Sequence, residues 1–214
     1  MRIFILLIFL HVIIPCYGQH TLNDVRDGQS YRTINISGTF WMLDNLNFAS
    51  GLSTVLTDEE MDKYNLAGRY YHMEEIDSVC PAGWVIPNVQ DWIDYFNFMV
   101  SEQYPGIELE IQTFEDPLNY NIAGYNEAIN LFEEGNLLNL MPTGRYEGTE
   151  LQIPDVYADF WTLDELEEIE GTTHIHIMNV WTTIHSHKHH LQPKKRKKLR
   201  KFMVRCIKPD DRTK

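Results

Sequence analysis

The stretch Cys80-Pro-Ala-Gly-Trp-Val-Ile-Pro87 joins a turn to an extended segment, and Asn88 follows it directly. Its first four residues have the composition of a turn, because their glycine can take a positive φ without steric cost. The residue before a proline avoids helical backbone, so the second proline ends the extended segment, and asparagine is a strong helix cap. The stretch therefore predicts that Cys80 lies in a turn beside Trp84, shortly before a helix.

The helix predicted after Asn88 is the longest in the chain. Its apolar residues recur at intervals of three and four, which is the spacing of one buried face. The face consists of Val89, Trp92, Ile93, Phe96, Met99 and Val100. Tyr104-Pro-Gly106 ends the helix, since proline and glycine do not continue it. An apolar face of this width needs a covering layer, which the strands of the chain can supply.

Shorter helices and several strands are predicted on both sides of this helix. Thr57-Asp-Glu-Glu60 is a capping box that opens a helix to about Tyr64, and a second short helix spans about residues 126–134. Strands are predicted for residues 31–36, 40–43, 68–71, 137–141, 156–162, 174–183 and 199–208. The first two strands form a hairpin around Ser37-Gly38, and residues 106–125 have the composition of a loop. The fold class is therefore α+β, with one long helix and one or two short ones.

The beginning of the chain has the pattern of a secretory signal peptide. One basic residue precedes an apolar run from Ile3 to Ile14, and a proline and small residues then lead to Gln19. The alternative is a lipoprotein signal with Cys16 acylated, although a proline stands directly before it, where a small residue is expected. The chain has 214 residues and is 43% apolar, enough for one domain with a sizeable core. We predict a signal peptide at 1–18, a single domain at 19–214, and export.

Export leaves two cysteines in the mature chain, Cys80 and Cys206. A structural disulfide is the default for such a pair in an oxidising compartment. The alternative is a reactive or metal-binding thiol pair, which requires accessible thiols of low pKa. We predict the disulfide.

Charge is strongly segregated along the mature chain. Residues 188–214 carry twelve basic and two acidic residues, a net charge of +10, whereas residues 19–187 carry a net charge of −24. So acidic a body argues against binding of free nucleic acid. The residues predicted to bind an anionic surface form one run: Lys194, Lys195, Arg196, Lys197, Lys198, Arg200 and Lys201.

This basic run has several interpretations. It can bind anionic lipid head groups, with each basic residue near the surface worth on the order of 1 kcal/mol. It can equally bind an acidic partner, or fold against the acidic body of its own chain. It can also be the solvated tip of a hairpin insertion near residues 185–201, which keeps strands from pairing edge to edge.

Three histidines lie directly before the basic run. On a strand, His185, His187 and His189 share one face, and three imidazoles on one face can bind Zn²⁺, Cu²⁺ or Ni²⁺. The alternative is a polar hairpin that faces solvent, which the lack of a nearby carboxylate to orient the rings favours. We therefore expect no cofactor, and name these histidines only as candidate metal ligands.

Three blocks of residues carry a resemblance to a known family. They are Asp24–Thr33 with Trp41–Asn47; Gly68–Tyr71 with Cys80–Pro87 and Trp92; and Leu140–Tyr146 with Phe160-Trp161 and Val204-Arg-Cys206. In this order they resemble the Fibrobacter succinogenes major paralogous domain, which occurs mainly in exported proteins of Bacteroidota and Fibrobacteres. The resemblance covers nearly all of residues 22–208.

The resemblance implies a C-type-lectin-like fold, with a mixed sheet, few helices and a disulfide. It implies no agreed activity, and the sequence has no phosphate-binding loop, nucleophile elbow or zinc motif. We therefore expect an exported cell-envelope binding or accessory module that recognises a glycan or an envelope protein. The alternatives are an enzyme of unknown reaction on a fold like that of formylglycine-generating enzymes, and a subunit of an outer-membrane complex. An exposed aromatic groove would favour glycan binding. A buried titratable cluster would favour an enzyme, and a large apolar patch would favour a subunit role.

Overall fold

A computed structural model describes the chain in parts. These are residues 20–64, 68–103, 105–106, 109–112, 122–125, 140, 143–152, 157–163, 167–169, 172–182, 189–197 and 200–209. The predicted signal peptide and the helix predicted at 126–134 lie outside the described residues.

Strands dominate the described parts. They are β1 (His20–Asn23), β2 (Ser30–Ile36), β3 (Thr39–Met42), β4 (Thr54–Val55), β5 (Arg69–His72), β6 (Leu109–Gln112), β7 (Ile122–Tyr125), β8 (Arg145–Glu147), β9 (Glu150–Gln152), β10 (Tyr157–Trp161), β11 (Glu167–Ile169), β12 (Thr172–Thr182), β13 (His189–Lys197), β14 (Arg200–Met203) and β15 (Ile207–Lys208). The helices are α1 (Asp58–Tyr64), α2 (Ile76–Val79) and α3 (Val89–Gln103), with one 3₁₀ turn at Met73–Glu75. None of the helices in the described ranges is long and apolar enough to cross a membrane.

The strands form two sheets. The smaller has the order β1-β2-β3-β15, and the larger has the order β4-β5-β14-β10-β12-β13-β7-β6, with β8, β9 and β11 paired beside this path. The larger sheet is mixed, because β10 and β14 run parallel, with Phe160 opposite Met203. The α+β class and the mixed sheet are therefore confirmed, and α3 is the longest helix among the described residues.

The β2–β3 hairpin forms where the sequence predicts it. Its two turn residues, Ser37 and Gly38, both have positive φ, at 50° and 96°. Two consecutive positive φ values are typical of the tight hairpin turn whose twist matches that of the flanking strands. Glycine adopts this conformation freely, whereas Ser37 is the one non-glycine residue with positive φ among those described.

Helix α3 begins with a reciprocal cap. The Asn88 side chain accepts from the Asp91 backbone N–H at 2.8 Å, and the Asp91 carboxylate accepts from the Asn88 N–H at 2.9 Å. Trp92, Phe96, Met99 and Val100 are buried as predicted, whereas Ile93 is only partly buried and Tyr95 takes its place in the core. The Tyr95 ring stacks on Trp41 with centroids 4.5 Å apart, which turns this side of the helix toward the hairpin.

The strands β5, β10, β12 and β14 of the larger sheet carry buried side chains on both faces. On the side of α3, Tyr70, Phe160, Met178 and Met203 pack with Trp92 and Phe96. On the opposite side lie Tyr71, Trp161, Ile177 and Phe202, the neighbours of those residues along the same strands. Alternation along β5, β10, β12 and β14 therefore supplies both cores.

Two strand predictions need correction. The stretch 106–125, predicted as loop, contains β6 and β7, which pair with each other. The predicted strand 199–208 is broken, because Val204–Cys206 crosses from the larger sheet to the smaller one. The crossing backbone is held by bonds from the Leu46 N–H to the Val204 carbonyl at 2.8 Å and from the Met42 N–H to the Cys206 carbonyl at 3.1 Å.

Candidate functional site

The predicted disulfide is present. Cys80 and Cys206 are bonded across a sequence separation of 126, with their Cα atoms 5.9 Å apart. Next to it, Val85 and Ile207 exchange two backbone hydrogen bonds, each of 2.8 Å. The Cys80–Pro87 stretch is thus attached to the end of the fold both covalently and through backbone pairing.

A second attachment comes from the N-terminal part of the domain. The Arg26 guanidinium donates to the Val79 carbonyl at 2.8 Å and to the Cys80 carbonyl at 3.3 Å, and it lies 3.8 Å from the centre of the Phe48 ring. The buried Asp24 carboxylate accepts from the same guanidinium at 2.6 Å. Hydrogen bonds from Arg26 hold the pKa of the Asp24 carboxyl below its ordinary value. These contacts position the disulfide turn and serve the scaffold.

The basic run divides into two parts. Residues 194–197 lie within β13, opposite residues 177–174 of β12, so the interpretation as a hairpin tip is wrong for them. The residues that join β12 to β13, 183–188, lie outside the described parts, as does Lys198.

The last two residues of the basic run contact the body of the chain. Arg200 pairs with the Glu147 carboxylate at 2.7 Å. The Lys201 ammonium donates to the Leu52 carbonyl at 2.6 Å and to the Thr54 hydroxyl at 2.7 Å. The interpretation that the run folds against its own body therefore holds for these two residues.

Two of the three candidate metal-ligating histidines lie outside the described residues. His185 and His187 are not among the described residues, and His189 lies in β13 opposite Thr182. Within the described ranges, no group of three His, Cys, Asp or Glu side chains is placed to hold a metal ion. The histidine site remains a prediction.

A cleft of about 300 Å³ lies between the β2–β3 turn and α3. Helix α3 contributes positions i, i+3, i+4 and i+7 of one stripe, and the hairpin contributes its turn and the start of β3. The lining residues are Ile36, Ser37, Thr39, Trp41, Asp91, Asp94, Tyr95 and Phe98. This cleft is not predicted from the sequence, although the stripe Asp91, Asp94, Tyr95 and Phe98 is visible beside the apolar face.

The cleft combines polar side chains with a partly exposed aromatic ring. Trp41 and Tyr95 stack on each other but are almost fully buried, whereas Phe98 is partly exposed. The Asp94 side chain is exposed on the rim, and one of its oxygens accepts from the Gln90 amide at 2.8 Å. Such a surface offers hydrogen-bond acceptors beside an apolar ring, which suits a small polar ligand with an apolar face.

A buried polar cluster lies elsewhere, on β8, β10 and β12. The Asp159 carboxylate is fully buried, accepts from the Asn179 amide, and pairs with Arg145 at 3.4 Å. Thr143 Oγ1, Arg145 Nε and Asn179 Oδ1 are buried there without a hydrogen-bond partner in the described structure. The Asp159 carboxylate has no exposed surface, and the Asn179 amide and the Arg145 guanidinium are its partners in this cluster.

Comparison with known proteins identifies the family. No curated protein and no solved structure matches the chain. Residues 34–208, which include the described strands of the larger sheet, α3 and the disulfide, match the Fibrobacter succinogenes major domain (Fib_succ_major). The chain therefore belongs to the Fibrobacter succinogenes major domain family.

Proposed function

We propose that the protein is an exported cell-envelope binding module that recognises a glycan in the cleft between the β2–β3 turn and α3. The observation that carries the proposal is the combination of a partly exposed aromatic ring, hydroxyls and carboxylates in one cleft of about 300 Å³. Carboxylate and hydroxyl oxygens accept hydrogen bonds from sugar hydroxyls, and the Phe98 ring can contact the C–H face of a sugar ring. The cleft is formed by a helix and a hairpin, which hold the binding groups in fixed positions.

Export and a C-type-lectin-like arrangement are parts of the same proposal. The signal peptide pattern at 1–18 and the Cys80–Cys206 disulfide support an oxidising destination, such as the periplasm, the outer-membrane surface or the cell exterior. A long helix packed on a mixed, disulfide-linked sheet is consistent with the lectin-like arrangement. An envelope protein is the alternative ligand for the same scaffold.

Substitution of Asp94 tests the cleft. Asp94→Asn keeps the size of the side chain and removes its charge, so we expect glycan affinity to fall at least tenfold, or about 1.4 kcal/mol. The measurement is isothermal titration of the mature chain with oligosaccharides selected from a glycan array. Glu102→Gln is the matched control, because Glu102 is also exposed on α3 and does not line the cleft. Equal affinities for the parent and both variants would rule out the cleft as the glycan site.

We also propose that residues 194–198 contact anionic lipid. The proposal rests on the net charge of +10 over residues 188–214 and on the five consecutive basic residues at 194–198. Burial of such a run in an apolar core is costly, because each charge needs a partner there. Arg200 and Lys201 are excluded from this proposed surface because Arg200 pairs with Glu147 and Lys201 donates to the Leu52 carbonyl and the Thr54 hydroxyl.

Vesicle sedimentation tests the lipid contact. Changing Lys194, Lys195, Arg196, Lys197 and Lys198 to Gln should abolish binding to phosphatidylglycerol vesicles and leave the melting temperature nearly unchanged. Binding by the parent should weaken with salt, as the Debye length falls from about 10 Å at 0.1 M to about 3 Å at 1 M. Lys208→Gln, an exposed change outside the run, is the control. Absence of binding by the parent at low salt would contradict the proposal, and a loss of stability in the variant would instead indicate contacts with the acidic body.

A further inference from the structure

We infer that the ligand of the cleft carries a free primary amine, so that its class is an unacetylated amino sugar such as a glucosamine oligosaccharide. The inference rests on the proposed glycan function and names the chemistry that the same cleft selects. Its basis is the charge of the lining: the eight residues include two aspartates and no lysine, arginine or histidine.

The two carboxylates lie on the same rim. Asp91 and Asp94 are three residues apart on α3, which places them on neighbouring turns of one face. The one hydrogen bond shown for the Asp94 carboxylate comes from a neutral amide, that of Gln90. An ammonium group that enters the cleft therefore meets negative charge contributed by the helix, and no lining side chain is positively charged to compete with it.

The aromatic residues favour the same group. An ammonium ion near the face of an aromatic ring is attracted by the ring quadrupole, and the attraction grows as water is removed. Phe98 is partly buried on the helix side of the cleft, one turn beyond Asp94. A protonated amine between a carboxylate and an aromatic ring thus gains an ion pair and a cation–π contact. An uncharged acetamido group at the same position gains neither.

The hairpin side supplies the sugar contacts. Ser37 and Thr39 of the hairpin also line the cleft and carry hydroxyl groups, and Ser37 is in the left-handed conformation that glycine or asparagine adopts more readily. Hydroxyls both donate to and accept from sugar hydroxyls. The cleft therefore has one acidic wall for the amine and one neutral, hydroxyl-bearing wall for the rest of the ring.

General attraction to the acidic body is the effect that a test must separate from specific binding. Residues 19–187 carry a net charge of −24, so any cation is concentrated near the protein. Asp94→Asn removes one negative charge inside the cleft, and Glu102→Gln removes one outside it, so the two variants have the same overall charge. A difference in binding between them therefore reports binding in the cleft.

The experiment compares three trisaccharides that differ in one group per ring. They are a glucosamine trisaccharide with free amines, its fully N-acetylated form, and cellotriose with hydroxyls, titrated into the mature chain at about pH 6, where a primary amine is protonated. We expect the free-amine form to bind at least tenfold more tightly than the other two. We expect Asp94→Asn to remove most of this preference and Glu102→Gln to retain it.

The outcomes separate the inference from the function on which it rests. The acetylated or the hydroxyl form could bind as tightly as the free-amine form and lose this binding in Asp94→Asn. That result overturns the amine inference and supports the glycan function. An equal loss of amine binding in Asp94→Asn and Glu102→Gln overturns it as well, because it indicates general attraction to the body. Equally tight binding of trilysine overturns the assignment to a sugar. Failure of all three trisaccharides and of the array glycans overturns the inference together with the proposed function.

Discussion

Replacing both Cys80 and Cys206 by Ala is expected to lower the free energy of unfolding by about 2–5 kcal/mol. The loop between them spans a sequence separation of 126, so the disulfide removes a large conformational freedom from the unfolded chain. Cys206 is fully buried between the two sheets, and alanine leaves no unpaired polar group at that position. Urea denaturation of the parent and the variant, followed by tryptophan fluorescence, measures the difference.

Two further measurements serve as controls for the double Cys→Ala variant. The parent treated with a reductant should lose about the same stability as the double variant, because both lack the same bond. Ser78→Ala, an exposed change two residues from the disulfide, should leave the unfolding midpoint unchanged. A reduced parent that unfolds at the same urea concentration as the oxidised parent would contradict the prediction.

Phe96→Ala is expected to destabilise the fold by roughly 3–5 kcal/mol. The ring has no exposed surface, and it lies 5.8 Å from the ring of Trp92 and 5.5 Å from that of Tyr95, measured between centroids. Its removal leaves a cavity between α3 and the larger sheet. Phe96 does not line the cleft, so the variant should retain glycan binding at temperatures where it remains folded.

The control for this variant is again on the same helix. Glu102→Ala changes an exposed residue near the end of α3 and should leave the urea midpoint where it is. A loss below about 1 kcal/mol for Phe96→Ala would mean that the apolar face of α3 is not packed on the sheet in solution.

Features encoded by neighbouring residues were predictable from the sequence. Thr57 and Glu60 cap α1 reciprocally as the capping box predicts, with distances of 2.8 and 3.2 Å. The apolar spacing after Asn88 identified α3, and the Ser37-Gly38 pair identified the hairpin. Each of these elements depends on contacts within a few residues, which a sequence pattern displays directly.

Features that depend on distant residues were not predictable in this way. Tyr95 replaces Ile93 in the core because Trp41 stacks on it, and because its hydroxyl lies 3.4 Å from the guanidinium of the buried Arg205. Burial lowers the pKa of Arg205 from its ordinary value, because an apolar neighbourhood disfavours the charged form. The periodicity of apolar residues does not reveal a buried charge of this kind. The helix side of the cleft is visible in the sequence, but its pairing with the hairpin turn arises only from the packing of α3 on the smaller sheet.

The position of β14 in the larger sheet has a consequence for the order of folding. This strand lies between β5 and β10, with Phe202 opposite Tyr71 and Met203 opposite Tyr70. The middle of the sheet therefore cannot close until residue 203 has been synthesised, long after β5. Pairing over such a sequence distance makes folding slow, so the nascent chain stays open while it is made. An open chain of this kind is the form that a translocation channel accepts, so the late central strand is compatible with the export proposed above.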